Sequence, residues 1–224
     1  MRKTTNCLYA LIVLFTISSC CTGKQSFFCN AEFSTAGGIN FSNISEEDEY
    51  DGYGGSNNSS RIGYQVGVNA LLPINENFGV QPGLGIASKG TKRDFESEGG
   101  EFGEMPTSSE EVTSLTYLDI PILARYQFNN SGFHTFGGLQ PSFLLNAKLK
   151  NDENNQMNQN TNVTDQFKTF DTAAVFGLGY GFGNGVSLNA RYDLGLSNIS
   201  DNQNFGQSKL RNRSFRISLA YTFN

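Results

Sequence analysis

The sequence of 224 residues is long enough for one domain of ordinary size. Apolar residues make up 38 % of it, with 25 glycines and 12 % aromatic residues, a mixture that favours strands and turns over packed helices. The net charge of −5 gives no electrostatic basis for binding nucleic acid. The longest apolar runs are too short for a membrane-spanning helix, but a membrane β-barrel needs no such run because its apolar residues are interleaved with polar ones.

The N-terminus has the pattern of a secretory signal peptide. Arg2 and Lys3 precede an apolar stretch over residues 7–17, and small residues follow it. We expect residues 1–24 to be the signal and residues 25–224 to form one exported domain. Removal of the three basic residues of the signal would change the net charge from −5 to −8.

Cys20 closes the stretch Ile-Ser-Ser-Cys, which also fits a lipobox. One expectation is lipidation of Cys20 after cleavage. The alternative is ordinary cleavage near Lys24, which would discard Cys20. In either case few cysteines remain, and the sequence predicts no disulfide framework.

Beyond residue 30, apolar and polar side chains alternate with a period of two in eight segments, the pattern of half-buried strands. The clearest of them runs from Val186 to Leu196. The other seven predicted strands cover about 31–43, 61–72, 78–91, 115–128, 133–148, 169–182 and 213–223.

The connections between these strands also alternate, between short turns and long polar segments. The long ones cover about 44–60, 92–114, 149–168 and 199–212, and the Gly183–Gly185 turn is a hairpin signal among the short ones. Short turns at one end and long loops at the other are typical of outer-membrane barrels. The sequence therefore predicts an all-β, eight-stranded, antiparallel up-and-down transmembrane β-barrel.

The polar faces of the predicted strands carry charges of both signs, which indicates a lumen closed by ion pairs. Eight strands enclose only enough space for side chains or one small ligand. We predict a charge network in the lumen formed by Glu32, Arg61, Asp119, Arg125, Asp171, Arg191, Asp193 and Arg216. Glycines on the polar faces of the third and sixth strands would make room for the long arginine side chains.

Aromatic residues and prolines indicate where the predicted strands leave the membrane or depart from regular pairing. Aromatic residues gather toward strand ends as an interfacial girdle, namely Phe78, Tyr126, Phe128, Phe170, Tyr180, Phe182, Tyr221 and Phe223. Pro82, Pro121 and Pro141 lie within predicted strands of a sheet without a free edge, so we expect them at bulges or at strand ends beyond the membrane.

Several short motifs resemble the PorT-type outer-membrane β-barrel family, whose architecture is related to the small OmpX and OmpA barrels. These motifs lie at 37–43, 83–90, Tyr117–Pro121, 190–198 and 215–223. The resemblance covers about residues 31–224 and implies an integral outer-membrane protein, with one branch of the family linked to protein secretion. It also implies that the last strand is recognised by barrel-assembly machinery.

Candidate catalytic and metal sites are few. The single histidine, His134, is placed just after a short turn, away from the long loops, so we expect no catalytic residues. The acidic segment 46–52 resembles the start of a calcium loop, but Asn58 stands where the bidentate carboxylate is needed, and a solvated loop is the simpler interpretation. We therefore expect no enzyme activity, no cofactor and no bound metal.

The sequence thus predicts an integral outer-membrane barrel, surrounded by lipid, with a structural or partner-docking role and no open pore. Protein partners would bind at the long loops or at the periplasmic rim. Two alternatives stay open: a component of a protein secretion system, and a soluble or lipid-anchored ligand-binding barrel.

Overall fold

The structure, a computed structural model, describes residues 30–47, 58–97, 107–129, 131–153, 159–201 and 209–223. The signal segment with Cys20 lies outside the described residues, as does most of the acidic segment 46–52. The strands are β1 (Glu32–Glu47), β2 (Asn58–Pro73), β3 (Phe78–Ser97), β4 (Thr107–Asp119), β5 (Ile122–Gln127), β6 (Phe133–Glu153), β7 (Gln159–Asn162), β8 (Phe170–Gly181), β9 (Val186–Gly195) and β10 (Lys209–Phe223). A 3-10 turn, Thr164–Gln166, follows β7.

The strands occupy eight antiparallel positions around a closed ring, which confirms the predicted barrel. Each position is called a stave below, because one of them is made of two consecutive strands. The order is β1, β2, β3, β4 with β5, β6, β8, β9 and β10, and β10 pairs with β1 to complete it. β4 and β5 form one stave, and β7 pairs with the outer part of β6. No helix within the described ranges is long and apolar enough to cross a membrane.

The apolar face of each stave points outward. Exposed apolar side chains recur at every second position, as in Ile62, Tyr64, Val66 and Val68 of β2, and the residues between them point into the lumen. An outward apolar band around a polar lumen is the arrangement that lipid requires, and it is the reverse of a water-soluble barrel.

Aromatic side chains form a girdle at the short-turn end of the barrel. It consists of Phe33, Phe78, Tyr126, Phe128, Phe133, Tyr180, Phe182, Tyr221 and Phe223, all exposed. Neighbouring rings meet edge to face, as in Tyr126 with Phe128 at 5.1 Å and Tyr180 with Phe182 at 5.2 Å between centroids. Phe170, predicted with this group, lies at the start of β8 at the opposite end, where its ring contacts Phe143.

All four predicted long loops are shorter than the sequence indicated. β1 continues to Glu47, β3 to Ser97 and β6 to Glu153, and the predicted loop 149–168 contains both β7 and the 3-10 turn. Beyond the apolar band, water solvates both faces of the sheet, so the alternation of side chains fades while the backbone pairing continues.

A bulge in β6 corrects the predicted faces of that strand. Thr116 pairs with Asn146 whereas Tyr117 pairs with Leu144, so Leu145 is an extra residue. Because one extra residue reverses the alternation, Ala147 is buried in the lumen and Lys148 is exposed outside, the opposite of the prediction.

The expected positions of the prolines were wrong, since none of the three lies at a bulge or at a strand end beyond the apolar band. Pro121 lies at the break between β4 and β5, where its carbonyl accepts a bond from the Gly83 N–H. Pro82 and Pro141 lie inside β3 and β6 in continuous register, away from the bulges. Both lie on the outward face, and the Pro141 carbonyl still accepts from the Ile120 N–H.

Leu219, in the middle of the outward face of β10, tests which face meets lipid. It is 57 % exposed and pairs with Leu188 and Gly37. We expect Leu219→Arg to lower the free energy of unfolding in lipid vesicles by about 2–4 kcal/mol, because it places a charge in hydrocarbon. Urea titration of the refolded protein measures this.

The matched control is Thr161→Arg, at an exposed position of β7 outside the apolar band. It adds the same side chain in water and should leave the unfolding midpoint nearly unchanged. Equal effects of the two substitutions would show that the outer face is not bathed in lipid.

Candidate functional site: the plug of the barrel lumen

The lumen is crossed by a cluster of paired charges that we call the plug, formed by Lys89, Asp119, Arg191, Asp193 and Arg216. The period of two along each strand turns these side chains inward. On β9 and β10, Arg191 lies opposite Arg216 and Asp193 opposite Ser214, so the cluster is built by register as well as by sequence.

Arg216 is the centre of the plug and is only 2 % exposed. Its Nη2 donates to Asp119 Oδ2 at 2.9 Å, and its Nε lies 2.6 Å from Asp193 Oδ2. Its Nη1 donates to Gln65 Oε1 at 2.8 Å. Since β10 and β4 stand opposite each other in the ring of eight staves, the pair between Arg216 and Asp119 spans the lumen.

Two further cations complete the pairing of the carboxylates. Lys89 Nζ lies 3.2 Å from Asp119 Oδ1, and Ser142 donates to the same oxygen at 2.7 Å. Arg191 Nε lies 3.1 Å from Asp193 Oδ1, and its Nη2 donates to Gln140 Oε1 at 2.7 Å. Buried charges are tolerated when they are paired and bonded in this way.

A second polar layer lies toward the long-loop end. Asn212 Nδ2 donates to Asp171 Oδ2 at 2.8 Å and to the Tyr117 hydroxyl at 3.3 Å. Ser197 donates to Asp171 Oδ1 at 2.6 Å. With Asp171 included, three cations face three carboxylates, so the formal charges in this part of the lumen balance.

The other three predicted members of the network, Arg61, Arg125 and Glu32, lie outside the plug. Arg61 donates to Ser88 Oγ at 3.0 Å and to the Lys89 carbonyl at 3.1 Å, beside the plug. Arg125 lies near the short-turn end and donates to Gln81 and Gln127. Glu32 is exposed at that rim. The structure thus places Asp119, Arg191, Asp193 and Arg216 in one cluster and Asp171 in the adjoining layer.

The predicted network did not include several residues that the plug uses. Lys89, Gln65, Gln140, Tyr117 and Asn212 all point inward and bond to its members or to the adjoining layer. The signal was present in the sequence for four of them, because the alternation places Lys89, Gln65, Gln140 and Tyr117 on the polar faces of the predicted strands. The prediction paired arginines with carboxylates and so left out the lysine, the tyrosine and the amides.

Apolar groups also fill parts of the lumen, beside the predicted charge network. Leu123, Phe136 and Val175 form one buried cluster. A Cβ at Gly177 would lie 2.4 Å from the Phe136 ring, and one at Gly179 would lie 2.4 Å from His134 Nε2. These glycines of β8 therefore make room for side chains of β6, not for arginines.

His134 takes part in ordinary hydrogen bonds at the short-turn end. Its Nε2 lies 2.9 Å from Asn189 Oδ1, and its Nδ1 lies 3.4 Å from the Gly132 carbonyl. Within the described ranges, no group of three or more His, Cys, Asp or Glu side chains could hold a metal ion.

Comparisons with known proteins agree with this architecture. A family model described as an outer membrane protein beta-barrel domain matches residues 24–201. No curated protein matches the sequence.

Similar solved structures include Ail of Yersinia pestis in complex with the heparin analogue sucrose octasulfate, at 16 % identity over 86 % of this chain and 99 % of that chain, with a TM-score of 0.48. Neisserial surface protein A is similar at 14 % identity over 87 % and 99 %, with a TM-score of 0.43. OprG of Pseudomonas aeruginosa is similar at 13 % identity over 87 % and 96 %, with a TM-score of 0.40. Because the family model covers most of the sequence, this chain belongs to the outer membrane protein beta-barrel domain family.

Proposed function

We propose that this outer-membrane barrel has a structural or partner-docking role, with no catalytic activity and no open pore. One observation carries the proposal: Arg216 and Asp119, from opposite staves, meet in the middle of the lumen at 2.9 Å. A solute moving along the axis would have to separate this pair.

Opening such a path is costly because each plug charge would lose its partner. Asp119 alone is held by Arg216, Lys89 and Ser142. Breaking a buried ion pair by removing one side is strongly unfavourable, since the other charge is left without compensation. The cavity on the short-turn side of the plug, which Arg216, Arg191 and Asp119 line, has a volume of only about 90 Å³.

Because the lumen is filled, partners would have to bind at the surfaces of the two ends of the barrel. Short turns face the periplasm and long loops the cell exterior in outer-membrane barrels, so β1, β3 and β6 extend beyond the membrane on the outer side. Partners would dock on the loops that these strands carry or on the periplasmic rim. The last strand, ending at Phe223, would be the contact for assembly machinery.

A role in protein secretion is the second candidate, and it depends on the PorT resemblance. Four of the five motifs behind that resemblance contribute plug residues: Lys89 comes from 83–90, Asp119 from Tyr117–Pro121, Arg191 and Asp193 from 190–198, and Arg216 from 215–223. Packing of the lumen accounts for these motifs, so they support a shared architecture more than a shared role. A deletion strain that still exports its normal cargo would exclude the secretion role.

Electrical recording tests the closed lumen directly. We expect the purified protein, inserted into a planar bilayer, to produce no stepwise conductance, because paired side chains occupy the whole width of the lumen. A general porin added later to the same bilayer is the positive control. Reproducible conductance steps from the wild-type protein alone would contradict the proposal.

Asp119→Asn tests the energetic role of the plug. It leaves Arg216 and Lys89 without their shared carboxylate, so we expect a loss of about 3–5 kcal/mol in the free energy of unfolding in lipid vesicles. Removing Lys89 as well, in Asp119→Asn with Lys89→Met, restores the charge balance and should recover part of the loss.

The matched control is Glu110→Gln. Glu110 pairs with Lys92 at 2.8 Å, but the two side chains are 40 % and 35 % exposed, so its loss should cost less than about 1 kcal/mol. If Asp119→Asn costs no more than Glu110→Gln, the buried ion pairs of the plug do not stabilise the barrel.

A further inference from the structure

We propose that the long-loop end of the barrel contains a binding site for a small, uncharged, mainly apolar molecule with one hydroxyl or carbonyl group. The site is a cavity of about 330 Å³ between the barrel wall and a folded segment that crosses its mouth. This volume lies at the lower end of the range of about 300–1,000 Å³ that is usual for ligand pockets.

The segment across the mouth, which we call the cap, consists of residues 163–169 and 197–201. Its two parts are bonded to each other, since the Lys168 N–H donates to the Ile199 carbonyl at 2.8 Å and the Asp201 N–H to the Gln166 carbonyl at 3.0 Å. The cap is therefore a defined structure that forms one side of the cavity.

The cap is also tied to the wall of the barrel. The Val163 N–H donates to the Ala147 carbonyl at 3.0 Å, and the Ile199 N–H donates to the Leu210 carbonyl at 2.9 Å. Val163 and Ile199 are buried among inward side chains of the barrel, including Leu115 and Tyr117. The cap thus holds its position by backbone bonds and by apolar packing.

The lining determines the chemistry of the ligand. Ile44, Leu149, Val163, Phe167 and Leu210 provide an apolar surface drawn from three staves and the cap. Burial of an apolar ligand against such side chains is favourable by about 25 cal/mol for each Å² removed from water.

The polar part of the lining favours a neutral ligand. Arg93 and Glu111 lie opposite each other in register on β3 and β4, so their formal charges cancel. The buried side chains of Thr91 and Thr113 carry hydroxyl groups. The Thr91 hydroxyl donates to Asn43 Oδ1 at 2.9 Å and can still accept a hydrogen bond, and the Thr113 hydroxyl has one O–H to donate and lone pairs to accept. One hydroxyl or carbonyl on the ligand can use these groups, whereas a charged ligand would upset the balance between Arg93 and Glu111.

The molecule would be held at this site and not passed through the barrel. The cavity shares no lining residue with the cavity next to the plug. Leu115, Tyr117 and Leu144, all buried, belong to the apolar layer between the cap and the plug. A ligand would therefore exchange only with the exterior.

Methyl NMR of the full chain in lipid nanodiscs tests the site, with 4-propylphenol as the probe. We expect saturable shifts of the Ile44, Leu149 and Leu210 methyl signals. Leu188 and Leu219, on the lipid face, report partition of the probe into lipid and should show only small, non-saturable changes. The carboxylate analogue 4-propylbenzoate should bind at least tenfold more weakly.

Leu210→Trp should fill the cavity and weaken binding at least tenfold, and Leu149→Trp provides the same test from β6 if the first variant does not fold. The matched control, Leu219→Trp, adds the same ring on the lipid face and should leave binding unchanged. Shifts confined to lipid-facing methyls, or equal affinity in the cavity and control variants, would overturn the proposal.

Discussion

The pairing of Arg216 with Asp119 across the lumen is the interaction on which the rest of the barrel interior depends. Backbone bonds close the ring of eight staves, but they do not decide how the space inside is filled. That space is only wide enough for side chains, so charges from opposite walls must meet. Because Arg216 also contacts Asp193 and Gln65, one side chain links β10 to β4, β9 and β2.

The interior is sorted by chemistry along the barrel axis. Next to the plug, toward the long loops, lies the polar layer of Asp171 and Asn212. Beyond that layer lies an apolar cluster that includes Leu115, Leu144 and Ile199. Tyr117 joins the two regions, since its hydroxyl accepts a bond from Asn212 while its ring packs in the apolar cluster and lies 4.7 Å from Lys89 Nζ. An amphipathic side chain can satisfy both layers at once.

The strand number, the outward faces and much of the plug could be predicted because they depend on alternation, which a sequence displays directly. Arg191 and Asp193 illustrate this, since the parity of β9 alone turns both inward. The bulge at Leu145 could not be predicted, because an extra residue becomes visible only when the partner strand fixes the register. The cap was equally hidden: residues 163–169 are polar enough to be assigned to a loop, and their fold depends on contacts with residues 197–201 far along the chain.

A charged interior distinguishes the inner face of each strand from its outer face. Apolar residues of similar volume could fill a lumen and would often be no less stable than a buried ion pair. With apolar side chains on both faces, however, nothing would distinguish the inner from the outer surface of a strand. A shift of one residue between β9 and β10 would then cost little, whereas in this chain it would move Arg216 into the lipid. The plug thus favours the observed register of the strands over shifted ones. Because its charges are paired, their burial lowers the stability of the barrel less than unpaired charges would.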